Sequence, residues 1–162
     1  MDQRERRFVG ICGIYCGACA LGNGEMAAAA KNLRRFVDAY DYLQKICGEL
    51  NWPEFMKVLH FLADGSCPGC GAGGGNPFCK VRNCAKEKNV SLCEECSEFP
   101  CQRIYGFQQT YPFAVTSLQR RKEVGIEEWL KQEQEKAAKG HDIELSYDKK
   151  WTEALRKTSE RG

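Results

Sequence analysis

The chain switches between stretches whose apolar residues recur at helical spacing and stretches that have no such rhythm. From about Glu25 onward, Leu33, Phe36, Val37, Tyr40, Leu43, Cys47 and Leu50 follow one another in three- and four-residue steps. That is the stripe of an amphipathic helix, and it predicts one long helix or two with a break near Asp41. Asn51-Trp52-Pro53-Glu54 then reads as a helix start, with Asn51 able to cap, Pro53 tolerated in the first turn and Glu54 at the capping-box position. Phe55, Val58, Leu59 and Leu62 predict its apolar face and Gly65 its end. Residues 24–64 therefore read as a helical hairpin. Further along, helices are expected through Ile104, Tyr105 and Phe107, through Val115 and Leu118 to about Gly125, and from Ile126 to Gly140, with an interruption at Tyr111-Pro112. A last amphipathic stretch carries Tyr147, Trp151, Ala154 and Leu155.

The rhythm fails over residues 8–23 and 65–101. The first of these is short, Gly-rich and cysteine-bearing, and reads as a brief extended piece followed by a turn. In the second, Gly71 to Gly75 and Pro77 rule out a long helix. Short helical turns fit at Arg82–Lys88 and after Ser91, where Ser91-Leu92-Cys93-Glu94 has capping-box form. The fold expectation is mainly α, one domain over 1–162. The hairpin and the C-terminal helices of 102–162 pack around an irregular, metal-stapled, cysteine-rich loop region.

Those unpatterned stretches hold the chemistry. Seven of the 11 cysteines fall at Cys67, Cys70, Cys79, Cys84, Cys93, Cys96 and Cys101, and three more at Cys12, Cys16 and Cys19. Cys67-x2-Cys70 and Cys93-x2-Cys96 have the spacing that lets one short turn offer two sulfurs to one metal ion. All ten are candidate metal ligands. Cys67-Pro68-Gly69-Cys70-Gly71 is the knuckle of zinc ribbons, in which Gly71 can take positive φ to close the turn. Counting by fours, Cys67, Cys70, Cys79 and Cys84 make one tetrahedral site. Cys93, Cys96 and Cys101 then take a fourth ligand from the N-terminal trio. A crossed arrangement, with the two knuckles on one ion, fits the spacing equally.

Rival thiol chemistries have weaker support. A thioredoxin-type pair needs a helix opening at its first cysteine, and Gly71-Ala72-Gly73-Gly74-Gly75 follows Cys67-Pro68-Gly69-Cys70 instead. Disulfides alone would leave one of 11 thiols over, and no apolar leader follows the charged start Met1 to Arg7, so a reducing cytoplasmic setting is expected. Cys12-x3-Cys16-x2-Cys19 has the spacing of radical S-adenosylmethionine enzymes. Those enzymes need a large strand-and-helix barrel, and Ala18 stands where their usual aromatic precedes the third cysteine. A fully ligated iron–sulfur cluster is the better alternative to zinc there.

Net charge is +2 from 24 basic and 22 acidic residues, with no polybasic run, which gives no support to a nucleic-acid partner. No stretch is long and apolar enough to suggest a membrane span. With only His60 and His141, a histidine-rich catalytic zinc site is poorly supported, and no catalytic residue is singled out. Cys47 reads as a buried small hydrophobe, Trp52, Trp129 and Trp151 as core anchors, Glu94, Glu95 and Glu98 as solvation of the cysteine loops, and Arg120-Arg121-Lys122 as a solvated helix face.

Cys12-Gly13-Ile14-Tyr15-Cys16-Gly17-Ala18-Cys19, Cys67-Pro68-Gly69-Cys70, Cys79-x4-Cys84-Ala85 and Cys93-Glu94-Glu95-Cys96-Ser97-Glu98-Phe99-Pro100-Cys101 occur in that order. Together they resemble a family of small cysteine-rich bacterial and archaeal proteins of unknown function suspected to bind zinc. The resemblance runs over roughly residues 8–135 and takes in Gly125-Ile126-Glu127-Glu128-Trp129-Leu130. Some members carry a further C-x-x-C after the tryptophan helix, which this chain lacks. The resemblance implies bound metal and no stated activity. The functional expectation is about two zinc ions that hold a loop surface meeting a protein partner. The alternatives are an iron–sulfur redox or electron-transfer protein and a thiol-based redox or metal sensor.

Overall fold

The computed structural model describes residues 2–141 and 143. Among these residues the regular elements are helices, as the hydrophobic rhythm predicts. In chain order they are α1 (Gln3–Arg6), α2 (Ala20–Asn23), α3 (Glu25–Ala39), α4 (Leu43–Ile46), α5 (Trp52–Asp64), α6 (Lys80–Glu87), α7 (Gln102–Gln108), α8 (Ala114–Val124) and α9 (Ile126–Ala138). Short 3-10 turns form at Cys16–Ala18, Cys70–Ala72 and Cys93–Glu95, and one isolated antiparallel bridge joins Val9 to Tyr15. No described helix is long and apolar enough to cross a membrane. The predicted stretch at Tyr147, Trp151, Ala154 and Leu155 lies outside the described residues.

Two units gather their own contacts, one from residues 2–19 and 68–143, the other from Ala20–Cys67. In the second unit, α3 and α5 pack on each other and carry its core. The helical run does break near Asp41: α3 ends at Ala39 and α4 is a separate turn. Asn51 caps α5, its side-chain oxygen accepting from the Glu54 N–H at 3.3 Å. The seam itself differs from the expected stripes. Ala30 and Val37 of α3 meet Leu59 and Ala63 of α5, with Trp52, Met56 and Leu62 packed alongside. Leu33, Phe36, Tyr40, Leu50, Phe55 and Val58 are exposed, and Cys47 is half-buried. Both helices carry apolar residues on two sides, so spacing alone does not say which side meets the partner. Two of the four buried seam residues, Ala30 and Ala63, are small.

The first unit has two clusters. Cys12, Val81, Ile104, Val115 and Leu118 form one, and Val9, Trp129 and Leu130 the other. Leu118 and Trp129 have no exposed surface, and burying a side chain like Leu118 contributes about 1.5–3 kcal/mol. Helix α8 lies behind the N-terminal segment. At Gly13, where φ is 84°, an added Cβ would stand 2.9 Å from both the Ala114 carbonyl oxygen and the Leu118 side chain. Only glycine permits this approach of the loop to the helix.

Candidate metal centre

The first thiol group is assembled by α6, which carries Cys84, and by the turn that follows it, while the start of α6 carries Cys79. Cys79 caps the start of α6, its sulfur accepting from the Arg82 N–H at 3.5 Å. At the other end Asn89 takes φ 52°, the Val90 N–H donates to the Ala85 carbonyl at 2.9 Å and the Asn89 N–H to the Lys86 carbonyl at 3.1 Å. This left-handed C-terminal closure reverses the chain. Beyond it, the Leu92 N–H donates to Glu95 Oε2 at 3.1 Å and the Cys96 N–H to the Cys93 carbonyl at 3.1 Å, which closes the Cys93–Glu95 turn. Glu95, rather than Ser91, supplies the side-chain cap. Cys101 stands at the N-cap of α7. The outcome is that Cys84, Cys93, Cys96 and Cys101 line one cavity of about 20 Å³, with Lys88 and Glu98 ion-paired on the same wall. A void of that size accommodates one water-sized particle. The four residues are thiols, with no disulfide among them.

The second group gathers around Cys12. The Val9–Tyr15 bridge folds the N-terminal loop, and the Cys16 N–H donates to the Phe8 carbonyl at 2.8 Å. The Cys70 turn sits on the backbone just before this loop: the Gly71 N–H donates to the Arg7 carbonyl at 3.0 Å. The positive φ of this turn falls on Gly69, at 91°, and not on Gly71 as the knuckle pattern suggests. An added Cβ on Gly69 would lie 2.2 Å from the Arg7 carbonyl oxygen. Between Cys70 and Cys79 the loop is pinned from beneath, since buried Arg82 donates to the Gly74 and Asn76 carbonyls. Cys79 packs against the core cluster that holds the buried Cys12, and Cys70, Cys79 and Cys16 lie near enough for their charges to act on the Cys12 thiol.

Burial pushes the Cys12 thiol far above its ordinary value; a backbone hydrogen bond at Ile14 acts in the opposite direction, and the three neighbouring sulfurs raise it further. Burial likewise pushes Cys93 up to about 12, aided by Glu94, Cys101 and Cys84 and opposed by Arg121. Both are therefore neutral thiols near neutral pH. Among the described residues, no three His, Cys, Asp or Glu side chains stand in metal-holding geometry. Four zinc–sulfur bonds of about 2.3 Å would require the sulfurs to stand less than about 4 Å apart.

The thiols are thus grouped differently from a count by fours along the chain. Cys84 joins the Cys93 knuckle, while Cys70 and Cys79 turn to the N-terminal loop. Cys67 belongs to the other unit, where its N–H donates to the Leu21 carbonyl at 3.4 Å. Cys19 closes the Cys16–Ala18 turn through its N–H on the Cys16 carbonyl at 3.2 Å and does not line the cavity. His60 is exposed, and the His141 ring meets Phe113 edge-on at 6.3 Å.

Two residues that sequence reasoning assigned to solvent are central to the first unit. Arg121 and Glu94 are both buried and form a two-pronged ion pair: Arg121 Nε donates to Glu94 Oε1, and Nη2 to Glu94 Oε2 at 2.8 Å. Arg121 Nη1 also donates to the Gly10 carbonyl at 2.8 Å and Nη2 to the Ile11 carbonyl at 3.4 Å. The guanidinium lies 4.8 Å from the Trp129 ring centre. Trp129 in turn donates to Ser117 Oγ at 3.0 Å, and Ser117 donates to the Gly13 carbonyl at 2.7 Å. A faint signal was present in the pattern, because Arg121 is three residues from Leu118 and would extend the Val115–Leu118 face of α8 inward.

Compared with known proteins, residues 8–106 match a family described as "Protein of unknown function (DUF3795)". The matched span contains all 11 cysteines and stops before α8, so Gly125 to Leu130 fall outside it. No curated protein and no solved structure matches the chain.

Proposed function

The chain belongs to that family of unknown function, DUF3795, and on this footing we propose that it is a zinc-stapled module whose two thiol groups each hold one ion. The observation that carries the reading is the small cavity that Cys84, Cys93, Cys96 and Cys101 line together. Four soft sulfur donors suit tetrahedral zinc, and the one carboxylate on the cavity wall, Glu98, is ion-paired to Lys88. Closing on an ion asks each cysteine to turn about its Cα–Cβ bond and lose its proton. The void suits one ion better than a cube of four irons and four sulfides.

Four thiolates leave no open coordination position, so the proposed role of the metal is to hold loops in place, not to activate water. A surface organised in this way serves a protein partner more naturally than a substrate. The test is elemental analysis and a visible spectrum of protein purified anaerobically without a histidine tag. The expected result is colourless protein with about two zinc ions per chain, falling by about one in Cys96→Ser. Brown protein that absorbs near ~400 nm and is bleached by dithionite would replace zinc with a cluster, and metal-free protein would remove the proposal altogether.

A further inference from the structure

Arg121 touches the surroundings of both thiol groups at once. Its partner Glu94 lies inside the Cys93-x2-Cys96 turn, and its carbonyl acceptors Gly10 and Ile11 lead directly into Cys12. The Ile11 carbonyl is also where the Cys93 N–H donates, at 3.2 Å. One carbonyl is therefore shared between the backbone of the first group and the guanidinium that grips the second. Arg121 is only 2 % exposed, and the Trp129 ring lies against it, so the guanidinium has little freedom to re-aim. A fork of five N–H donors can hold a carboxylate and two carbonyls together, which the point charge of lysine cannot do.

We propose that Arg121, paired with Glu94, is a positioning residue shared by the two thiol groups, so that a change at the pair is felt at both metal ions. This rests on the two-ion reading above. Neither residue is among the proposed ligands; the pair acts through the Cys93–Cys96 turn on one side and the Gly10–Cys12 segment on the other. Arg121 lies beyond the family-matched residues 8–106, so α8 completes a cysteine region to which it contributes no sulfur.

Cadmium NMR on the full chain loaded with cadmium tests this, because each ion gives its own resonance. Two resonances are expected. Glu94→Gln, which keeps the side-chain shape and removes the charge, is expected to displace both. Lys88→Met is the control: Lys88 borders only the Cys84 cavity, and its substitution is expected to displace one resonance and leave the other in place. Should Glu94→Gln fail to fold, Glu94→Asp keeps the ion pair but draws the carboxylate back, and the same displacement of both resonances is expected. A shift at only one resonance in either Glu94 variant would overturn the proposal, as would a single resonance in the unsubstituted protein. Protein that takes up no cadmium would instead overturn the metal reading beneath it.

Discussion

Cys93 and Cys12 set how the proposed sites answer to pH. Burial raises each thiol above its ordinary value, Cys93 up to about 12. The unfolded chain gives up the same proton near 9, so in metal-free protein this contribution is intact below pH 9 and is lost as pH climbs toward 12. Metal loading has the opposite sign, because a thiol must lose its proton to become a ligand. One such thiol lies in each group. Zinc affinity at each site is therefore expected to fall by at least about tenfold for every unit of pH lowered below neutrality, measured by competition with a chromogenic chelator. An affinity flat in pH would mean these two thiols are not ligands. The ten candidate cysteines could be picked out from spacing alone, because a C-x-x-C turn is a local geometry. Glu94 and Arg121 could not: their meaning comes from a contact between residues 27 positions apart. A charged side chain reads as solvated until its partner is known.

The connections between elements decide which sulfurs meet. The helix pattern was legible from Glu25 to Gly140, and caps such as Asn51 announced themselves. Seam choice on α3 and α5 was not legible, since each helix has apolar residues on more than one side. Which thiols lie near one another was hidden for a similar reason. The glycines around Cys70 seat its turn on Arg6 and Arg7. That seating gives a paired test. Gly69 and Gly73 both have positive φ, 91° and 83°, so alanine strains either one by roughly 1 kcal/mol or more. Only at Gly69 does the new Cβ also strike backbone, 2.2 Å from the Arg7 carbonyl oxygen, whereas Gly73 faces open space. Gly69→Ala is expected to lower the metal count by about one per chain, and Gly73→Ala to leave it unchanged while lowering the melting temperature slightly. Equal metal loss in both would show that backbone strain alone, and not the seat on Arg7, controls the second group.

For the whole molecule, the mainly helical class followed from sequence rhythm, and the family match over 8–106 encloses the cysteines without supplying a role. The first unit keeps only small apolar clusters between its cysteine loops, with cores built on Leu118, Ile104 and Trp129. A small core of this kind gains from a metal staple, since binding energy at a structural zinc site is folding energy when the unfolded chain has no such site. Long-range convergence of sulfurs is the central claim, and anomalous diffraction from crystals at the zinc absorption edge tests it most directly. Two zinc peaks per chain are expected, one enclosed by Cys84, Cys93, Cys96 and Cys101 and the other by Cys12, Cys16, Cys70 and Cys79. Density with no peak between the first four sulfurs, or with those sulfurs joined in pairs, would contradict it.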